Sequence, residues 1–123
     1  MKRILIVDDD DQVRSMLRLT LERAGYEVEE APDGRAAVAC SARKPFDLVI
    51  TDIIMPELEG FETIHKLRTA HPEVKIIAIS GGGRLAPDGY LEVAGNLGAA
   101  RSFVKPVDRD ELLKAVHELT RAA

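Results

Sequence analysis

The strongest constraint in this sequence is a fivefold alternation of short apolar runs with helical patterns. The runs are Ile4 to Val7, Tyr26 to Val28, Leu48 to Ile50, Val74 to Ile79, and Phe103 to Val104. They are rich in β-branched or aromatic residues, and most are nearly continuous. A continuous run suits a strand covered on both faces, as in a parallel sheet. The second run differs, because Glu27, Glu29 and Glu30 surround Val28. That pattern marks an edge strand, where charge discourages mispairing.

Helical periodicity fills the intervals. Val13, Met16, Leu17, Thr20, Leu21 and Ala24 recur at i, i+3, i+4 spacing, and Gly25 is placed to end that helix. Ala36, Ala37, Val38 and Cys40 mark a second helix, with Asp33 as its N-cap. Phe61, Ile64, Leu67 and Arg68 mark a third, which ends before His71-Pro72. Tyr90, Leu91, Val93, Ala94 and Leu97 mark a fourth, stopped at Gly98. Leu112, Leu113, Val116 and Leu119 mark a fifth, capped by Asp108. Five β-α repeats predict a doubly wound α/β domain: a five-stranded parallel sheet with five helices on its two faces. The 123 residues fit one domain, 1–123, and no output domain is visible beside it.

The net charge of −4 argues against non-specific nucleic-acid binding, which needs a basic face. No apolar run approaches the ~20 residues of a membrane span. Only four apolar residues follow Met1-Lys2-Arg3 before a block of acids, too few for a signal peptide. The single cysteine, Cys40, forms no internal disulfide and reads as a small core hydrophobe. The expectation is a cytoplasmic protein.

In open α/β sheets, ligands bind beyond the carboxyl ends of strands, near the point where strand order switches. The chemistry-bearing residues fall at such ends. The first run leads into Asp8, Asp9, Asp10 and Asp11; the third into Thr51-Asp52; the fourth into Ser80; the fifth into Lys105-Pro106. In the flavodoxin-like order 2-1-3-4-5 the first and third strands are neighbours, so Asp8, Asp9 and Asp52 would share one crevice. Carboxylates so placed repel, and a hard divalent cation relieves the repulsion. All-oxygen ligands suit magnesium, or manganese. Asp52 then reads as a carboxylate nucleophile that forms an acyl phosphate. Lys105 would set an ammonium against the phosphoryl oxygens, and Ser80 would donate a hydroxyl to one of them.

Simpler readings compete. Asp10 and Asp11 suit the N-terminus of the first helix as caps. The run Gly81-Gly82-Gly83 lacks the Gly-Lys-Ser/Thr ending of a phosphate-binding loop and reads as a flexible loop. His65, His71 and His117 read as solvated surface.

The start Ile4-Leu5-Ile6-Val7-Asp8-Asp9, the stretch Asp47 to Asp52 followed by Met55-Pro56 and Gly60, Ser80 after a strand, Gly98-Ala99 and Lys105-Pro106 together resemble the receiver domain of two-component response regulators, the CheY-like family. The resemblance covers nearly the whole chain in order. It implies a signalling domain rather than an enzyme, with its own phosphorylation and dephosphorylation chemistry. Asp52 would be the acceptor for a phosphoryl group from a sensor histidine kinase or phosphotransfer protein. Asp9 and Asp52 would ligate the metal directly, Asp8 through water, and Ile54 through its backbone carbonyl. The bond from Lys105 to Pro106 would be cis. A downstream protein would read the fourth helix, fifth strand and fifth helix, the surface through which homodimers also form. No direct contact with nucleic acid or membrane is implied.

The sequence departs from the family pattern at one switch position. The family usually carries an aromatic residue three places before the lysine, where Ser102 stands here. Phe103, one place later, should point to the opposite face and into the core. The expectation is that loop 81–89, with Gly81, Gly82 and Gly83, provides the two-state element instead. Two other readings remain open. A phosphohydrolase of the haloacid-dehalogenase type needs an acid two residues after its nucleophile, where Ile54 stands. A degenerate receiver that only binds proteins would not need the complete acidic set.

Overall fold

A computed structural model describes residues 2–53, 59–80, 95 and 98–121 of the chain. Five strands, β1 (Arg3–Val7), β2 (Glu27–Ala31), β3 (Leu48–Asp52), β4 (Lys75–Ser80) and β5 (Arg101–Val104), form one sheet in the order β2-β1-β3-β4-β5. Every neighbouring pair is parallel. The helices among the described residues are α1 (Asp11–Arg23), α2 (Gly34–Arg43), α3 (Glu59–Ala70) and α4 (Arg109–Thr120). The last corresponds to the fifth predicted helix. The fourth predicted pattern, Tyr90 to Leu97, lies outside the described residues apart from Gly95, which is helical. None of the described helices is long and apolar enough to cross a membrane.

The pleat divides the apolar runs between two cores. Leu5, Val7, Val49, Ile76 and Ala78 pack with Ala37 of α2 and with Ile64 and Leu67 of α3. Ile4, Ile6, Leu48, Ile50, Ile77 and Ile79 pack with Leu17 and Leu21 of α1 and with Leu112, Ala115 and Val116 of α4. Helices on both faces explain why the strands read as continuous rather than alternating.

Local signals set the element ends. Asp10 Oδ1 accepts from the backbone N–H groups of Gln12 and Val13, so Asp10 is the N-cap of α1 and Asp11 lies in its first turn. Asp33 caps α2 through Ala36 N–H at 2.8 Å, and Asp108 caps α4 through Glu111 N–H at 3.1 Å. Gly25, after the last turn of α1, takes a φ of 98°, which an L side chain rarely adopts.

The strand ends differ from the predicted runs, as β2 and β5 illustrate. β2 is the edge strand foreseen, but it continues through Glu29 and Glu30 to Ala31. Its acids are matched: Glu29 accepts from Arg3 Nη2 at 2.6 Å, and Glu30 accepts from Arg14 Nε and Arg18 Nη1. β5 begins at Arg101, because Arg101 and Ser102 complete the ladder with Ile77 and Ala78 despite their polarity. Cys40 is half-buried against the α2–α3 core, as a small hydrophobe would be.

Candidate functional site

The acids at the strand ends come together. Asp8, the first residue past β1, and Asp52, the last of β3, are buried, whereas Asp9 is exposed. One carboxylate oxygen from each lies within 4.8 Å of the others. Register explains the convergence: β1 and β3 pair side by side, with Val7 opposite Thr51. The pocket therefore sits at the end of the paired ladder, with Asp52 in the last rung of β3 and Asp8 and Asp9 just past β1.

Lys105 follows β5, and its backbone N–H donates to the Ser80 carbonyl at 2.8 Å, extending the β4–β5 ladder. Its side chain crosses to the acids, with Nζ 2.9 Å from Asp8 Oδ2 and 2.9 Å from Asp52 Oδ2. Burial works against the ammonium. The hydrogen bonds to Asp8 and Asp52, with the charges of those two groups, outweigh it and hold the Lys105 pKa above its ordinary 10.5. The side chain is therefore a fixed cation at neutral pH. Formally, three carboxylates and one ammonium leave a local charge of minus two, which a divalent cation neutralises.

Asp8 is held from several sides. Its Oδ1 accepts from Asp10 N–H at 2.9 Å, and its own N–H donates to the Ala31 carbonyl at 3.2 Å. Its carbonyl accepts from Arg14 Nη1 at 2.5 Å. Sequence reasoning missed Arg14. An arginine one turn into a helix that follows an acid-rich loop was the available signal.

Ser80 ends β4 and is buried, one residue beyond Ile79, which lies opposite Asp52. Ser102 is exposed, and Phe103 is half-buried against the α1–α4 core, so the two residues alternate across the strand as expected. The Lys105-Pro106 bond is cis. His65 and His117 are exposed and His71 is half-buried. Ile54, Gly81, Gly82, Gly83 and the rest of loop 81–89 lie outside the described residues.

The donor set fits a hard cation. All three candidate ligands are carboxylates, and the exposure of Asp9 leaves room for water, which magnesium retains in most protein sites. Two hollows elsewhere, one between α2 and α3 and one at the amino end of the sheet, are lined by other residues.

A family model described as the response regulator receiver domain matches residues 4–117. The response regulator receiver protein CpdR of Brucella abortus is 32% identical over 123 residues, covering all of both chains. The response regulator MprA of Mycolicibacterium vanbaalenii is 40% identical over 121 residues, which is 97% of this chain; the chain spans only 50% of that relative's length. Among solved structures, the response regulator protein TrrA of Thermotoga maritima, in complex with Mg2+ and BeF, superposes with a TM-score of 0.83 at 34% identity, covering 97% of this chain and 99% of that one. A match of this extent, on this strand order, makes the chain a member of the response regulator receiver domain family, the phosphorylation-dependent signalling modules of two-component systems.

Proposed function

We propose that Asp52 is the phosphoacceptor of this receiver domain and that Asp8, Asp9 and Asp52, with the Ile54 backbone carbonyl, hold magnesium or manganese. The observation that carries this reading is the placement of Lys105 Nζ 2.9 Å from both Asp8 and Asp52, inside a cluster of three convergent carboxylates. When bound, the cation supplies charge neutralisation at the phosphoryl oxygens. The relative TrrA was solved with Mg2+ and BeF, which supports the same chemistry here.

The chain's own residues perform the transfer. An oxygen of the Asp52 carboxylate attacks phosphorus, and the bond from phosphorus to the donor breaks. In a phosphohistidine donor the leaving nitrogen keeps the electron pair, and Asp52 becomes an acyl phosphate. Lys105, already charged, turns its ammonium from Asp52 Oδ2 to the arriving phosphoryl oxygens without a proton transfer. Ser80, at the neighbouring strand end, donates its hydroxyl to one of them. The donor is a sensor histidine kinase or a phosphotransfer protein, and the output is a contact with a downstream protein. A small acyl phosphate tests the reading. Mass gain is expected in wild type with magnesium and absent without the metal or in Asp52→Asn. Labelling of Asp52→Asn equal to wild type would end it.

A further inference from the structure

We propose that Arg14 is a positioning residue for the acid pocket, fixing the Asp8–Asp9 segment in the conformation that presents its carboxylates to a divalent cation. This rests on the reading of the pocket given above. The Arg14 side chain is 13% exposed and meets three segments at once. Nη1 donates to the Asp8 carbonyl at 2.5 Å, Nε to Glu30 Oε1 on β2 at 3.2 Å, and Nη2 to Asp11 Oδ1. A planar guanidinium with donors in a fixed fork suits this task, and a lysine ammonium does not.

The bond to the Asp8 carbonyl carries the inference. Arg14 bonds the Asp8 carbonyl and not a carboxylate of the pocket, so it grips the peptide that joins Asp8 to Asp9. The orientation of that peptide sets the directions in which both side chains leave the backbone. The grip is anchored outside the pocket, because Glu30 holds the same guanidinium from the edge strand. Partners one step behind metal ligands typically set affinity by about 10–100-fold.

Arg18 provides the contrast. It also donates to Glu30, at 2.9 Å, but its other partner is Glu22 and not Asp8. The experiment titrates magnesium chloride calorimetrically into the full chain as wild type, Arg14→Ala, Arg14→Lys and Arg18→Ala. Metal-free melts establish that each variant folds, and labelling by a small acyl phosphate is followed at low and saturating magnesium. Arg14→Ala should weaken magnesium binding about tenfold, Arg14→Lys about threefold, and Arg18→Ala less than about twofold. At saturating magnesium the labelling rate of Arg14→Ala should return to within about threefold of wild type, because the residue positions a ligand and does not touch the reacting atoms. Wild-type affinity in Arg14→Ala, or equal losses in Arg14→Ala and Arg18→Ala, would overturn the inference. Should the alanine variant fail to fold, wild-type affinity in Arg14→Lys would overturn it equally. A wild-type chain that neither binds magnesium nor labels would instead overturn the functional reading, and this inference with it.

Discussion

Lys105 and Asp52 stand 53 positions apart in the chain, yet Nζ and Oδ2 lie 2.9 Å apart where β3 and β5 end on either side of β4. The contact brings a charge that survives burial to the oxygens where new negative charge would arrive. It is a positioned cation before any donor binds.

Replacing Lys105 by alanine should therefore separate transfer from metal binding. Labelling of Asp52 should slow about 100-fold at saturating magnesium, the scale of losing one preorganised charge-stabilising group. Magnesium affinity should hold or rise, because a competing cation has left the carboxylates. Stopped labelling assays beside calorimetry check both halves.

Magnesium should stabilise the fold. A ligand that binds only the native state adds about 2.7 kcal/mol at 100 times its dissociation constant. Thermal melts of wild type should rise accordingly with added magnesium. Asp9→Asn should lose most of that rise while its metal-free melt stays close to wild type, since Asp9 is exposed.

At the amino end of the sheet, Glu27 offers a pH test. The hydrogen bond from Arg3 Nε at 2.7 Å holds its carboxyl below the ordinary 4.5, against a smaller opposing effect of burial. A depressed folded-state pKa gives stability that is present above 4.5 and lost as pH falls through the folded value. Wild type should thus exceed Glu27→Gln in denaturant midpoint at neutral pH, and the two should converge in acid. A constant gap across that range would contradict the assignment.

Gly98 has a φ of 117°, and a Cβ there would lie 2.9 Å from Arg68 Nε. Arg68 is not free to leave, because its Nη1 donates to the Val74 carbonyl at 2.8 Å. Gly98→Ala should cost about 1–2 kcal/mol from the backbone conformation alone, read by chemical denaturation. Labelling of Asp52 at low temperature should persist, since the strain sits away from the acids.

Much of this was legible in the sequence because it follows from short-range rules. Asp10, Asp33 and Asp108 precede helices as caps, and each caps one. Val7-Asp8 and Thr51-Asp52 end apolar runs, which was enough to place their carboxylates at one edge once the strand order was assumed. Long cationic side chains were not legible. Arg3 lies over the Phe46 ring at 4.3 Å and reaches Glu27, Glu29 and Pro45, and no local pattern in the sequence selects those partners. The same reach hid the role of Arg14. It also hid the length of β2, whose acids look hostile to a strand until the arginines that match them are in place.

Asp52 ends a strand with a neighbour on each side, and the amide just past it still donates to the Ile79 carbonyl at 2.9 Å. The proposed acceptor is thus rooted in a strand paired on both sides and would have little freedom to recoil on gaining charge. Close-packed interiors pass strain on rather than absorb it. If Asp52 is the acceptor proposed above, a shape change on phosphorylation would be exported from this anchored centre to the periphery, where a partner protein could read it.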